Sequence, residues 1–95
     1  RYLATGVDVL VGPTVADVAP WVADVEGRAR ADGMPVHTDD FVFTLPASLT
    51  GSPAISVPAG TDDATGLPLA VQLVGRPWTD PLLLAAAEVA EGAFT

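Results

Sequence analysis

The sequence predicts an α/β fold, a sheet of short strands with flanking helices, and three observations point to it. Three short apolar runs, Val7 to Val11, Ala54 to Val57 and Leu67 to Val74, are bounded by Gly or Pro, as buried strands are. Only the loop Thr61 to Gly66 separates the second run from the third, too short for a parallel crossover. An Ala- and Leu-rich stretch follows Asp80-Pro81, which reads as a helix start.

Each element has its own local reason. The β-branched run Val7 to Val11 is stopped by Gly12-Pro13 and predicts the first strand. From Thr14 to Asp40 the chain is punctuated by Pro20, Gly27, Gly33 and Pro35, which predicts a connection with a helical turn or two around Trp21 to Arg30. Phe41 to Leu45 is apolar, and Pro46 to Gly51 leads into the second strand, which Pro58 is expected to close. The short loop then predicts an antiparallel hairpin with the third strand. In the final helix Asp80 is the expected N-cap, Pro81 the first helical residue and Gly92 the stop.

The same pattern predicts that partner structure is needed. The final helix carries two adjoining apolar stripes, Leu82, Ala86, Val89 and Ala93 beside Leu83, Ala87, Ala90 and Phe94, a width that suits a helix packed deep in a larger body. The strands lack polar alternation, as in sheets covered on both faces. Hydrophobic residues form 49% of only 95 residues, more apolar surface than so short a chain readily hides. Residues 1–95 are therefore expected to form an incomplete domain, completed by further chain on its amino-terminal side or by a second copy. A start at Arg1 without an initiator Met is expected for a piece of a longer polypeptide, and processing would also explain it.

Charge and composition exclude several classes. Twelve acids face four arginines, for a net charge of −8, so the long-range field repels phosphate backbones and no nucleic-acid partner is expected. No apolar run approaches the roughly 20 residues of a membrane span, and no membrane partner is expected. There is no cysteine, hence no disulfide, thiolate nucleophile or Cys-based zinc site, which fits the expected cytoplasmic location.

The chemistry-bearing residues are few. Ser48, Ser52 and Ser56 could be combined on paper with His37 and an aspartate, but none of the serines lies in a nucleophile elbow and His37 sits in an acid-rich stretch, VHTDD. Ser52 reads as the start of a strand and Ser56 as a strand residue hydrogen-bonded locally. His37, Asp39 and Asp40 lack the spaced second His or Cys that makes a zinc signature specific, so no metal is expected. No dinucleotide or Walker pattern occurs, and no cofactor is expected. Asp62-Asp63 reads as a solvated turn, and Trp21 and Trp78 as packing residues.

Several motifs occur together in order. They are DVLVGPT at Asp8 to Thr14, FTLPASLTGSPAISVPAG at Phe43 to Gly60, GLPLAVQLVG at Gly66 to Gly75, and the helix from Asp80 to Glu91. In this the chain resembles the carboxy-terminal end of the amidase signature family, with Ser48 where that family usually carries Asn. The resemblance implies a mixed sheet flanked by helices and hydrolysis of a small-molecule amide. It also implies a Ser nucleophile, a second Ser in a cis peptide and a Lys base. This sequence has no lysine, and the family's glycine- and serine-rich segment has no counterpart in it. No catalytic residue can therefore be assigned to a position here. The expected contribution is core strands plus one wall of the acyl pocket from the loop around Asp40 to Pro46, the alternative being that this loop is only a connection.

Overall fold

A computed structural model describes residues 6–15, 17–32 and 42–94. The order of elements is β1 (Val9–Pro13), α1 (Val22–Asp32), α2 (Leu45–Thr50), β2 (Ala54–Thr61), β3 (Pro68–Gly75) and α3 (Asp80–Phe94). The strands form one antiparallel sheet in the order β1-β3-β2, so the last strand in sequence lies in the middle. The hairpin forms as expected, with Ile55 opposite Leu73 and Val57 opposite Val71. On the other side of β3, Val9 faces Gly75 and Val11 faces Leu73.

Because side chains alternate along a strand, this register assigns the two faces. One carries Val9, Val11, Ile55, Val57, Val71 and Leu73, and α3 packs against it. Val57, Leu73, Leu83 and Ala87 form the buried cluster, with Val9, Ile55, Val71, Ala86 and Ala90 packed around it. The stripe through Leu83, Ala87 and Ala90 meets the sheet, joined by Ala86 from the neighbouring stripe. Leu82 and Val89, the larger residues of that neighbouring stripe, are exposed. Val11 is 63% exposed although it shares the face of Leu73, since α3 contacts β2 and β3. Coverage of the sheet on both faces, expected from the apolar runs, is therefore incomplete among the described residues.

Several boundaries differ from the sequence reading, each for a local reason. β1 runs on through Gly12 and Pro13; as an edge strand it tolerates a residue without an amide hydrogen. Pro58 likewise does not close β2, which is the opposite edge and continues to Thr61 with an irregularity between Pro58 and Thr61. Gly60 lies in that irregularity with φ 92°, a conformation that costs glycine little. α1 is a helix of 11 residues, longer than the turn or two expected: Gly27 costs a helix only about 1 kcal/mol relative to Ala and need not break it.

The segment after Leu45, read as a lead-in to the second strand, is a short helix. Pro46 stands in its first turn, and Gly51 closes it in the left-handed conformation at φ 72°. The Gly51 and Ser52 amides both donate to the Ala47 carbonyl, satisfying the end of the helix. At α3 the first intrahelical bond runs from the Leu83 amide to the Thr79 carbonyl at 3.0 Å. Thr79 is thus the N-cap, one residue earlier than expected, and Asp80 opens the helix where its charge suits the dipole. Gly92 does not end α3, which reaches Phe94.

The β3–α3 junction is tight. A Cβ on Gly75 would lie 3.1 Å from the Thr79 hydroxyl oxygen, which donates to the Arg76 carbonyl at 2.6 Å. The Gly75 amide donates to the Pro53 carbonyl at 2.9 Å, joining β3 to the entry of β2. Gly75→Ala should therefore cost about 1 to 2 kcal/mol through overpacking, read as a lower urea midpoint at unchanged slope. An unchanged midpoint would show that the junction relaxes freely.

Candidate functional site

The sheet face opposite α3 carries the polar residues. Gln72 lies at the middle of the central strand, paired with Gly12 on one side and Ser56 on the other. It is the one polar side chain in the run LPLAVQLV, and it is only 8% exposed. A buried carboxamide needs a partner. Its Nε2 donates to the Phe43 carbonyl oxygen at 2.7 Å, so the chain just before α2 lies against this face.

A second tie crosses the same face. Thr14, just past the end of β1, and Ser56 of β2 share a hydrogen bond between their hydroxyl oxygens at 2.9 Å. Ser56 is therefore bonded over a span of 42 residues, a correction to the local bond read from sequence. Gly12 has nothing within 4 Å of where a Cβ would stand, leaving open space beside Gln72. Val42, Phe43 and Leu45 remain about two-fifths exposed. The result is a shallow surface with apolar residues around the Phe43 carbonyl and hydroxyls at Thr14 and Ser56.

The other two serines serve α2. The Ser52 hydroxyl shares a 2.9 Å bond with that of Thr50, whose Oγ1 also donates to the Pro46 carbonyl at 2.8 Å. Ser52 thus precedes β2 and belongs to the end of α2. Ser48 is exposed on α2, its hydroxyl 3.5 Å from the Thr44 carbonyl. His37, Asp39 and Asp40 lie outside the described residues, as do the first two residues of the Asp40 to Pro46 loop. Among the described residues no group of three or more His, Cys, Asp or Glu could hold a metal ion.

Elsewhere, Asp62 organises the β2–β3 turn. Its Oδ2 accepts from the Thr65 amide at 2.9 Å and the Thr65 hydroxyl at 2.7 Å, and its own amide donates to the Leu67 carbonyl at 2.8 Å. This is a structural use of an acid read as solvated. The tryptophans correct another expectation. Trp21 is 81% and Trp78 95% exposed, so neither packs in the core of the described residues. Trp78 has φ 68°, which turns the chain sharply between β3 and α3. It borders a concavity of about 440 Å³ lined also by Thr50, Gly51, Pro53, Pro77 and Asp80. That concavity has one carboxylate and no nucleophile–base pair, so nothing converges there for catalysis.

Neither Gln72 nor Thr14 stands out in the sequence as a site residue. For Gln72 a signal exists, since a lone polar residue in a buried strand must find a partner. For Thr14 there is none, because its partner is distant in the chain.

The sheet order, the hairpin and the lone buried glutamine accompany a direct match. The profile of the Amidase family covers residues 1–84. This chain belongs to the amidase family. Among its relatives, a glutamyl-tRNA(Gln) amidotransferase subunit from Methylorubrum extorquens is 42% identical over 90 residues, covering 95% of this chain and 17% of that protein. The corresponding protein of Rhizorhabdus wittichii is 52% identical over 71 residues, covering 75% of this chain and 13% of its own length. A fatty acid amide hydrolase of Medicago truncatula is 40% identical over 85 residues, or 90% of this chain and 14% of that protein. This amidase chain thus spans less than a fifth of the relatives it matches. No helix among its described residues is long and apolar enough to cross a membrane.

Proposed function

We propose that this chain supplies the carboxy-terminal part of an amidase that hydrolyses a small-molecule amide to an acid and ammonia or an amine. The observation that carries the proposal is the family match over residues 1–84 in a sequence without lysine. In the mechanism that the family resemblance implies, a serine hydroxyl attacks the amide carbonyl while a neutral lysine, acting through a second serine, takes its proton. The amine leaves with a proton, and water then releases the acid from the acyl-enzyme. All three catalytic groups would lie outside this sequence. The chain's own part would be three strands of the sheet and the wall formed by residues 42–46 over the face of Gln72.

The proposal is tested with a polypeptide extended upstream through the reading frame and assayed on a panel of simple amides for release of acid and ammonia. Hydrolysis supports it. A well-folded extended chain that turns over none of them overturns it.

The exposed apolar residues favour a second reading. Trp21, Val22, Trp78 and Val89 are each more than 70% exposed, which is costly for a lone chain. On this reading the chain is a non-catalytic domain that covers these residues with a second copy. Size-exclusion chromatography would then show a defined dimer with cooperative unfolding, whereas an unfolded or aggregated monomer would exclude it.

A further inference from the structure

The two outer edges of the sheet are not alike. The Gly75 amide donates to the Pro53 carbonyl on the β2 side, so alternate residues of β3, namely Gly75, Leu73 and Val71, turn their backbone groups toward β2. Their partners on β1, Val9, Val11 and Pro13, therefore turn theirs away from the sheet. By the same alternation Ala54, Ser56 and Pro58, opposite Val74, Gln72 and Ala70, point outward from β2. That row is interrupted. Pro58 has no amide hydrogen to offer, and the irregularity before Thr61, with Gly60 at φ 92°, disturbs the edge beyond it. On β1 the proline falls only at the end of the strand. The Val9 and Val11 amides face outward, with no strand beyond them among the described residues.

The apolar layer is unfinished on the same side. α3 lies over β2 and β3, and Val11 is 63% exposed on the face where Leu73 is 2% exposed. Backbone groups in the plane of the sheet and an apolar side chain above it thus both lack cover at β1.

We infer that the sheet continues past β1 and ends at β2, the outer edge of β1 pairing with a further strand of the same polypeptide. The inference rests on the reading of this chain as part of a longer amidase, and it does not depend on turnover. The kind of partner follows from the edge, since an extended row of N–H and C=O groups is matched by another strand. Its source follows from size and charge. A five-residue edge buries far less than the about 1,200 Å² that a stable complex of separate molecules needs, and two copies at net charge −8 each repel. A strand of the same polypeptide avoids the cost of bringing two molecules together. The relatives have chain to supply it, for the match covers 17% of the Methylorubrum protein.

The test is amide hydrogen exchange on the upstream-extended polypeptide, resolved to single residues. The Val9 and Val11 amides should exchange at least about 100-fold more slowly than those of Ala54 and Ser56, each corrected for its intrinsic rate. The same polypeptide with photoreactive benzoylphenylalanine in place of Val11 is then irradiated as a mixture of isotope-labelled and unlabelled molecules. Adducts should join this position to residues upstream of Arg1, within one molecule and without mixed label. Equally rapid exchange at all four amides overturns the inference. So does protection of Ala54 and Ser56 with rapid exchange at Val9 and Val11, which would put the continuation at β2. Protected Val9 and Val11 with adducts of mixed label would assign the edge to a second copy, and that also overturns it. An extended polypeptide that shows the expected protection and adducts but hydrolyses no amide leaves the inference standing and sinks the hydrolase reading alone.

Discussion

The 95-residue chain on its own is expected to hydrolyse simple amides at least about 10⁴-fold more slowly than the upstream-extended polypeptide. A serine hydroxyl becomes a competent nucleophile only when a positioned base accepts its proton. The described serines are otherwise engaged: Ser56 with Thr14, Ser52 with Thr50, and Ser48 on an exposed helix face. No lysine exists to act as the base. Removing members of a catalytic serine set costs on the order of 10⁴ to 10⁶ in rate, and here the whole set would be missing. Release of acid and ammonia is the readout. Turnover by the short chain would show that one of Ser48, Ser52 and Ser56 works with a base in this sequence. His37→Ala would then be the next variant to make.

The second large effect concerns stability. Leu73→Ala should cost about 3 kcal/mol, from lost transfer energy and the cavity left behind. Leu73 is 2% exposed, lies on the central strand and belongs to the cluster with Val57, Leu83 and Ala87. Small domains have stabilities of only roughly 5 to 15 kcal/mol, and this cluster is small. The isolated chain should therefore lose most of its cooperative urea transition on this one substitution.

Leu69→Ala is the matched comparison. It changes the same residue type on the same strand and face, two alternations away, where Leu69 is 37% exposed. Its cost should stay below about 1 kcal/mol. Equal shifts for the two variants would mean that α3 does not cover the sheet as described, since burial beneath that helix is what distinguishes the two positions.

Much of the architecture is legible in the sequence because it depends on near neighbours. Gly and Pro bound the apolar runs, so the three strands can be placed to within about two residues at most ends. The six-residue loop requires the hairpin that Ile55 and Leu73 form. Asp80-Pro81 announces α3, with Thr79 taking the cap instead because its carbonyl accepts the first helical bond. Pro58, Gly27 and Gly92 look like stops and are not. The cost of a proline depends on whether its strand is an edge, and that of a glycine on what else stabilises the helix.

The face of the candidate site is harder to see. Thr14 and Ser56 meet across 42 positions, and Gln72 reaches Phe43 across 29. Nothing in local spacing indicates either pair. A polar residue inside an apolar strand does signal that a partner exists, without naming it. The two tryptophans show the converse limit, since aromatic character favours burial but the left-handed turn at Trp78 leaves its ring in solvent.

By itself the sequence determined the α/β class, the hairpin, the terminal helix, the family, and the lack of a lysine to serve as base. These follow from residue identity, from order, and from interactions spanning a few residues. Only the tertiary structure decided that β3 is the central strand, that Leu83, Ala86, Ala87 and Ala90 form the face of α3 on the sheet, and that Gln72 anchors the chain before α2. Those outcomes depend on which distant segments exclude water together, and the free energy of that choice belongs to the assembled surfaces rather than to any one stretch of chain.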